Sequence, residues 1–235
     1  MLKKTQSSNK MTKRRYIKIK ESRSYKNRNR NRTKLLYIHG FMSGANSYTV
    51  RRLIARYGHL YEILSPELNG DPHYSLSLIN SIIAKEKPRL IVGSSLGGFY
   101  ALMCESGDIP VVVVNPCVDP YTHLQRYLDQ VLTYHSKRDD GSRTYTLTRP
   151  VLKRFKEYDV AEKVRSKVDR IRALLSTNDE VLGDSHCQFF KQIAEETDSK
   201  FLFKTDGRFG HQLAPNGFVL LSDMIDNVLE DLRGA

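Results

Sequence analysis

The sequence predicts an α/β protein built on a parallel sheet that helices cover on both faces. Six short runs of consecutive apolar residues alternate along the chain with segments whose apolar residues have helical spacing. Runs that are apolar throughout are typical of strands buried on both faces. Alternation with helices favours parallel pairing, because each helix carries the chain back across the sheet. The length of 235 residues suits one sizeable domain or two small ones.

The predicted elements follow one another from Lys34 onward. The strands comprise residues 34–40, 61–66, 88–94, 109–116, 170–177 and 200–205, about six in all. The helices comprise about residues 46–57, 75–86, 96–106, 186–197 and 216–232.

The fourth and fifth strands are separated by residues 117–169, which are too many for an ordinary crossover. This segment contains two helical patterns, "PYTHLQRYLDQVL" and "RPVLKRFKEYDVAEKV", on either side of a polar stretch. We expect a helical cap insertion above the carboxyl ends of the strands, where ligands bind in open α/β sheets.

The composition indicates a globular protein rather than a membrane or fibrous one. The chain is 40% hydrophobic and 27% charged, and no apolar run approaches the roughly 20 residues that span a bilayer. No signal-like apolar stretch occurs in the first 30 residues. The three cysteines lack metal-ligand spacing and fit buried, reduced thiols. We therefore expect a cytoplasmic protein without a membrane span.

The net charge of +12 is concentrated at the N-terminus. Residues 1–34 contain 14 lysines and arginines against the single acid Glu21, whereas the rest contains 24 basic and 25 acidic side chains. We predict a largely disordered extension over residues 1–34, in which only "RYIKIK" resembles a strand, and a folded domain over residues 35–235. Such an arm could contact nucleic acid or an anionic surface. We favour the simpler interpretation, a dispensable extension.

A serine flanked by glycines follows the third predicted strand. Residues 93–97 read Gly-Ser-Ser-Leu-Gly, which places Gly93 two residues before Ser95 and Gly97 two residues after it. This pattern between a strand and a helix is typical of a nucleophile elbow. The glycines leave room in the tight turn, and the hydroxyl lies at a helix N-terminus, which favours negative charge. Ser94 lacks this spacing.

A serine hydroxyl needs a base, which in this geometry follows the nucleophile along the chain. Of the seven histidines, His211 follows the last predicted strand in a loop that contains glycines. We expect His211 to be the base. His186, at the start of a predicted helix, is the main alternative.

The third member of such a site is an acid that orients the histidine. Asp179 lies just beyond the fifth predicted strand, where its carboxylate could reach an imidazole at the same edge of the sheet. Glu180 and Asp184 nearby, and Asp119 after the preceding strand, remain alternatives. Asp179 could instead cap a short turn.

The stretch "YIHGFMSG" after the first strand suits an oxyanion hole. One backbone amide comes from the residue after the nucleophile, Leu96, and the other from this loop, where we expect Phe41. Gly40 gives the loop freedom to aim that amide. We interpret His39 as a structural hydrogen-bonding residue rather than a catalytic one.

The cap contains four apolar and aromatic residues with helical spacing: Tyr121, Leu124, Tyr127 and Leu128. They could line a substrate-binding acyl pocket. The more common reason for such spacing is that the residues form the buried face of a helix.

Four motifs in chain order, "YIHGFMSGANSY", "GSSLGGFYA", "NPCVDPY" and "STNDEVL", resemble those of the YqiA-like esterase family of compact α/β-hydrolases. The resemblance covers residues 35–233. It implies a reduced, mainly parallel sheet and hydrolysis of short acyl esters. On the matching residues it implies a triad of Ser95, Asp179 and His211.

The sequence therefore predicts a serine esterase for a small-molecule ester, with an acyl-Ser95 intermediate and no metal or organic cofactor. A thioester substrate would use the same residues. The alternative from another class is a non-catalytic binding protein on a hydrolase scaffold, since fold alone does not fix function.

Overall fold

The six predicted strands form one parallel sheet in the computed structural model, which describes residues 32–200, 202–213 and 215–234. The strands are β1 Lys34–Ile38, β2 Glu62–Leu64, β3 Leu90–Ser94, β4 Val111–Val114, β7 Ile171–Ser176 and β8 Phe203–Asp206. Their order is β2-β1-β3-β4-β7-β8, and every neighbouring pair is parallel. The predicted sheet is thus confirmed. The strand-like "RYIKIK" lies outside the described residues.

Helices occupy the connections between these strands, and one more helix follows the last strand. The α-helices are α1 Tyr48–Tyr57, α2 Pro72–Glu86, α3 Leu96–Met103, α4 Pro120–Leu124, α5 Arg149–Arg154, α6 Val160–Arg165, α7 Ser185–Thr197 and α8 Pro215–Gly234. Short 3-10 turns lie at Gln125–Tyr127, Phe155–Glu157 and Val168–Arg170. In the part of the chain that the structure describes, no helix is long and apolar enough to cross a membrane.

Both faces of the sheet are buried, as the uninterrupted apolar strands require. In β1, Leu35 and Tyr37 join the apolar cluster that α1 and α8 cover. Leu36 and Ile38 point the other way, into the cluster formed with α2, α3 and α7. Helices therefore lie on both faces, as predicted.

The segment between β4 and β7 differs in part from the sequence prediction. Its first half was expected to be helical through Leu132, yet β5 Val131–Thr133 and β6 Thr144–Thr146 form an antiparallel hairpin. The helical stretch ends at Tyr127: Leu128 has an extended ψ of 133°, and Asp129 follows with a φ of 59° in the left-handed region. The β-branched residues of the two strands favour extended backbone over helix. The second half is helical, as expected.

The sheet has its topological switch point between β1 and β3. The chain leaves β1 for the edge strand β2 and returns to β3 on the other side of β1. The connections after β1 and β3 therefore run in opposite directions and leave a crevice at the carboxyl ends of these strands. Residues 40–43 and the turn at Ser95 border this crevice.

Candidate active site

Ser95 lies in the turn between β3 and α3, in a backbone conformation that L-residues rarely adopt. Its φ is 54° and its ψ is −125°, which is a strained geometry. A methyl group added at Gly93 would lie 2.4 Å from the carbonyl oxygen of Gly97, and one added at Gly97 would lie 2.1 Å from that of Ile38. Glycine is therefore needed on both sides of this turn.

A continuous chain of hydrogen bonds connects Ser95 to the two residues predicted with it. Nε2 of His211 is 2.9 Å from Oγ of Ser95. Nδ1 of the same ring is 2.8 Å and 3.0 Å from the two carboxylate oxygens of Asp179. With Nδ1–H donating to the carboxylate, Nε2 is the unprotonated nitrogen and accepts from the serine hydroxyl.

Asp179 is buried, yet its carboxylate has several donors. Burial raises the pKa of Asp179, but the hydrogen bond from His211 and those from the amides of Leu182 and Val181 outweigh it and hold the pKa below its ordinary value. These two amides donate over 2.7 Å and 2.9 Å. Asp179 therefore caps a turn and faces the imidazole at once, and it is charged at neutral pH.

The loop that carries His211 is held by two side chains. A carboxylate oxygen of Glu180 accepts from the backbone amide of His211 over 2.8 Å. The Asn115 side chain donates to the carbonyl of Gly210 over 3.0 Å and accepts from the amide of Ser176 over 2.7 Å. Asn115 was not among the residues predicted from the sequence. Its signal was a polar residue directly after a buried strand, where its φ is 41°.

The remaining candidates lie elsewhere. His186 is fully buried, and its Nε2 is 4.0 Å from a carboxylate oxygen of Asp179. Burial lowers the pKa of His186 and keeps it neutral. Asp119 caps α4 by accepting from the amide of Thr122 over 3.1 Å. Asp184 lies at the start of α7.

The loop after β1 lies against the serine turn. A methyl group added at Gly40 would lie 3.1 Å from Cβ of Ser95 and 3.6 Å from its Oγ. Phe41 and Leu96 line the same cleft as Ser95 and His211. The two residues whose amides are expected to bind an oxyanion therefore border the cleft that contains the serine hydroxyl.

The cleft above Ser95 has a volume of about 860 Å³. Of the four cap residues expected near substrate, Leu124 and Tyr127 line it. Tyr121 and Leu128 are not among the residues that line the cleft, and all four residues belong to or pack against the apolar core. Among the described residues, no group of histidines, cysteines and carboxylates is arranged to hold a metal ion.

Solved structures with the same fold are α/β-hydrolases. Est1E from Butyrivibrio proteoclasticus with bound ferulic acid has a TM-score of 0.65 and 14% identity, over 89% of this chain and 93% of that chain. Alpha/beta hydrolase domain-containing protein 10 from mouse has a TM-score of 0.61 and 16% identity, over 85% of this chain and 90% of that chain. A monoacylglycerol lipase from Paleococcus ferrophilus has a TM-score of 0.59 and 14% identity, over 84% of this chain and 94% of that chain.

Sheet order, serine turn and neighbours together define the chain as an α/β-hydrolase in fold. Identities this low support the fold and leave the substrate open. The family follows from the sequence: the chain belongs to the uncharacterised protein family UPF0227, whose family model matches residues 34–202. This membership confirms the resemblance to the YqiA-like esterases.

Proposed function

We propose that this protein is a serine esterase that hydrolyses short acyl esters through an acyl-serine intermediate. The observation that carries the proposal is the unbroken chain of hydrogen bonds from Asp179 through His211 to Ser95 at the floor of an open cleft. A non-catalytic binding protein has no need for a strained serine aligned with a histidine and a buried carboxylate.

In the first half of the reaction, Nε2 of His211 takes the proton from the Ser95 hydroxyl while Oγ attacks the ester carbonyl carbon. The tetrahedral intermediate collapses, the carbon–oxygen bond to the alcohol breaks, and the imidazolium returns its proton to the leaving alkoxide. Asp179 holds the ring in the required tautomer and stabilises its charged form.

In the second half, the same nitrogen takes a proton from water, whose oxygen attacks the acyl carbon. The second tetrahedral intermediate releases the carboxylic acid, and the proton returns to Oγ of Ser95. The backbone amides of Phe41 and Leu96 would donate to the oxyanion in both halves. The acyl group would lie along Leu124 and Tyr127, and a thioester would react in the same way.

The proposal is tested with a fluorophosphonate probe, which forms a covalent bond only with an activated serine. We expect the purified protein to be labelled and to hydrolyse a short p-nitrophenyl ester, and Ser95→Ala to lose both activities. Ser94→Ala, one residue away, serves as the matched control and should still be labelled. A folded wild-type protein that is neither labelled nor active would instead support a binding protein.

A further inference from the structure

The peptide between Gly40 and Phe41 lies in a tight turn beside the nucleophile. The amide of Ser43 donates to the carbonyl of Gly40 over 3.3 Å, and Met42 has a φ of 56°. A turn with positive φ at its third residue matches type II. Since the peptide is trans, the Gly40 carbonyl and the Phe41 amide point in opposite directions. Whatever fixes that carbonyl therefore also aims the amide.

The stronger contact to this carbonyl comes from a buried imidazole. Nδ1 of His39 is 2.9 Å from the oxygen of Gly40, shorter than the bond from Ser43. On the other side of the ring, the backbone amide of Leu68 donates to Nε2 over 3.3 Å. Only the neutral tautomer with the proton on Nδ1 makes both bonds. The other tautomer would sacrifice both for a contact with the nearby Pro66 carbonyl.

The surroundings of this ring favour its neutral form. His39 is only 4% exposed. Burial lowers the pKa of His39 to about 4, and the charge of Arg138 acts in the same direction, against the hydrogen bond to Gly40. At neutral pH the ring is therefore uncharged, which leaves Nε2 free to accept.

We propose that His39 is a positioning residue that aims the Phe41 amide at the reacting carbonyl oxygen. The inference depends on the proposed esterase function. It assigns His39 a role in transition-state stabilisation, although the residue is shielded from substrate. This positioning role differs from a merely structural one because it requires a hydrogen-bond donor at Nδ1 of His39.

The cap segment also contacts the turn at Gly40 and the residues that bind His39. Arg138, in the connection between β5 and β6, donates to the carbonyl of Leu68 over 2.7 Å and pairs with Glu67 at 3.0 Å. The amide of His135 in the same connection donates to the carbonyl of Met42 over 2.9 Å. The residue that donates to His39 and the turn that His39 holds are thus both attached to the hairpin.

Two variants of His39 distinguish a requirement for a hydrogen-bond donor at Nδ1 from a requirement for a side chain that merely fills the space. An asparagine amide nitrogen occupies nearly the place of Nδ1, whereas a glutamine reaches the place of Nε2. We expect His39→Gln to lower kcat about ten- to a hundred-fold with KM within about two-fold, part of the loss seen when an oxyanion donor is removed. His39→Asn should recover most of this loss.

The affinity for a trifluoromethyl ketone, whose adduct with Ser95 mimics the tetrahedral oxyanion, gives a readout that general loosening would not move. In His39→Gln it should weaken by the same factor as kcat/KM. Equal effects of the two variants, or a change in KM alone, would overturn the proposal. If His39→Gln fails to fold, the asparagine variant decides by itself, since a loss above ten-fold with an unchanged melting temperature contradicts a role for Nδ1.

A double-mutant cycle tests whether His39 acts through the amide of Phe41. Phe41→Pro removes that N–H and suits the second position of the turn, and Phe41→Ala controls for loss of the ring. Adding His39→Gln to Phe41→Pro should lower kcat by less than a further two-fold. A further loss as large as that of His39→Gln alone would refute the coupling between the two residues. Failure of the esterase proposal looks different, because the wild-type protein would then show neither turnover nor labelling.

Discussion

At the scale of single residues, two adjacent acids, Asp179 and Glu180, bind different parts of His211. Asp179 binds the ring of His211 through Nδ1, while Glu180 binds its backbone amide. Because neighbouring side chains leave the backbone in different directions, one can orient the ring and the other the loop. The orientation of the His211 ring therefore depends on Asp179, and the position of its loop depends on Glu180.

The first prediction concerns the charge of Asp179. In Asp179→Asn the new amide can donate to Nδ1, which favours the tautomer with its proton on Nε2 and removes the base facing Ser95. We expect kcat for a short ester to fall about 10³- to 10⁴-fold, the size of loss known for the same aspartate-to-asparagine change in the triad of another serine hydrolase. Steady-state kinetics beside a melting curve measure this effect.

One matched change and one measurement of stability serve as controls for that variant. Asp119→Asn alters an acid that only caps α4 and should leave turnover within about two-fold, since asparagine is an equally good cap. The melting temperature of Asp179→Asn should fall only slightly, because asparagine can still accept from the amides of Val181 and Leu182. Wild-type turnover in Asp179→Asn would remove this residue from the mechanism.

Sequence reasoning at this scale reaches some residues and misses others. Ser95 and His211 have local signals, a glycine-flanked turn and a glycine-containing loop after the last strand. The choice between Asp179 and Glu180 has no such signal, because it depends on side-chain directions one residue apart. Asn115 could not be assigned either, since its bonds reach Gly210 and Ser176 far along the chain.

At the scale of elements, the turn between β3 and α3 requires close backbone approach. Gly97→Ala would place a methyl group 2.1 Å from the carbonyl oxygen of Ile38 in β1. Neither backbone can move without disturbing the sheet, so we expect a loss of at least about 3 kcal/mol in the free energy of unfolding, above the usual range for overpacking. Urea denaturation measures it.

Gly234→Ala is the matched control, since a methyl group there meets no atom within 4 Å. That variant should change the free energy of unfolding by less than about 1 kcal/mol. A similarly small loss in Gly97→Ala would mean that α3 can shift away from β1, contrary to the close packing described above.

The hairpin of β5 and β6 shows why the cap was harder to predict than the sheet. Its strands are three residues each, too short to establish a period. Helical spacing in the preceding residues extended the predicted helix to Leu132. The pairing of Leu132 with Tyr145 is a tertiary feature that local periodicity cannot reveal.

At the scale of the whole molecule, the parallel sheet could be predicted because burial on both faces leaves an unmistakable pattern of apolar runs. All six strands were predicted within a few residues of their observed bounds. Strand order could not be read from those runs, because it depends on crossover directions. The switch point that locates the cleft appears only once β2 and β3 are placed on opposite sides of β1.

The uneven distribution of charge leads to a prediction about the N-terminal extension. Deleting residues 1–31 leaves Arg32, which donates to the carbonyl of Gly58 over 2.7 Å. We expect kcat/KM on a small neutral ester to stay within about two-fold, since the site is preorganised by the domain. Salt-dependent binding to nucleic acid, if the full chain has it, should disappear, because the remaining domain is nearly neutral. Loss of folding would contradict the interpretation as a dispensable extension.

The cap shares its apolar contacts with the sheet. Leu147, Leu152 and Phe155 are at most 3% exposed and belong to the same cluster as Phe99 of α3. Swinging the cap away would return these side chains to water at a cost of about 5–9 kcal/mol, comparable to the whole stability of many domains. We therefore expect the cap to stay in place and the entrance to the cleft to keep its outline. If the protein is the proposed esterase, we expect it to select substrates by whether they fit the cleft as it stands, and not by opening of the cap.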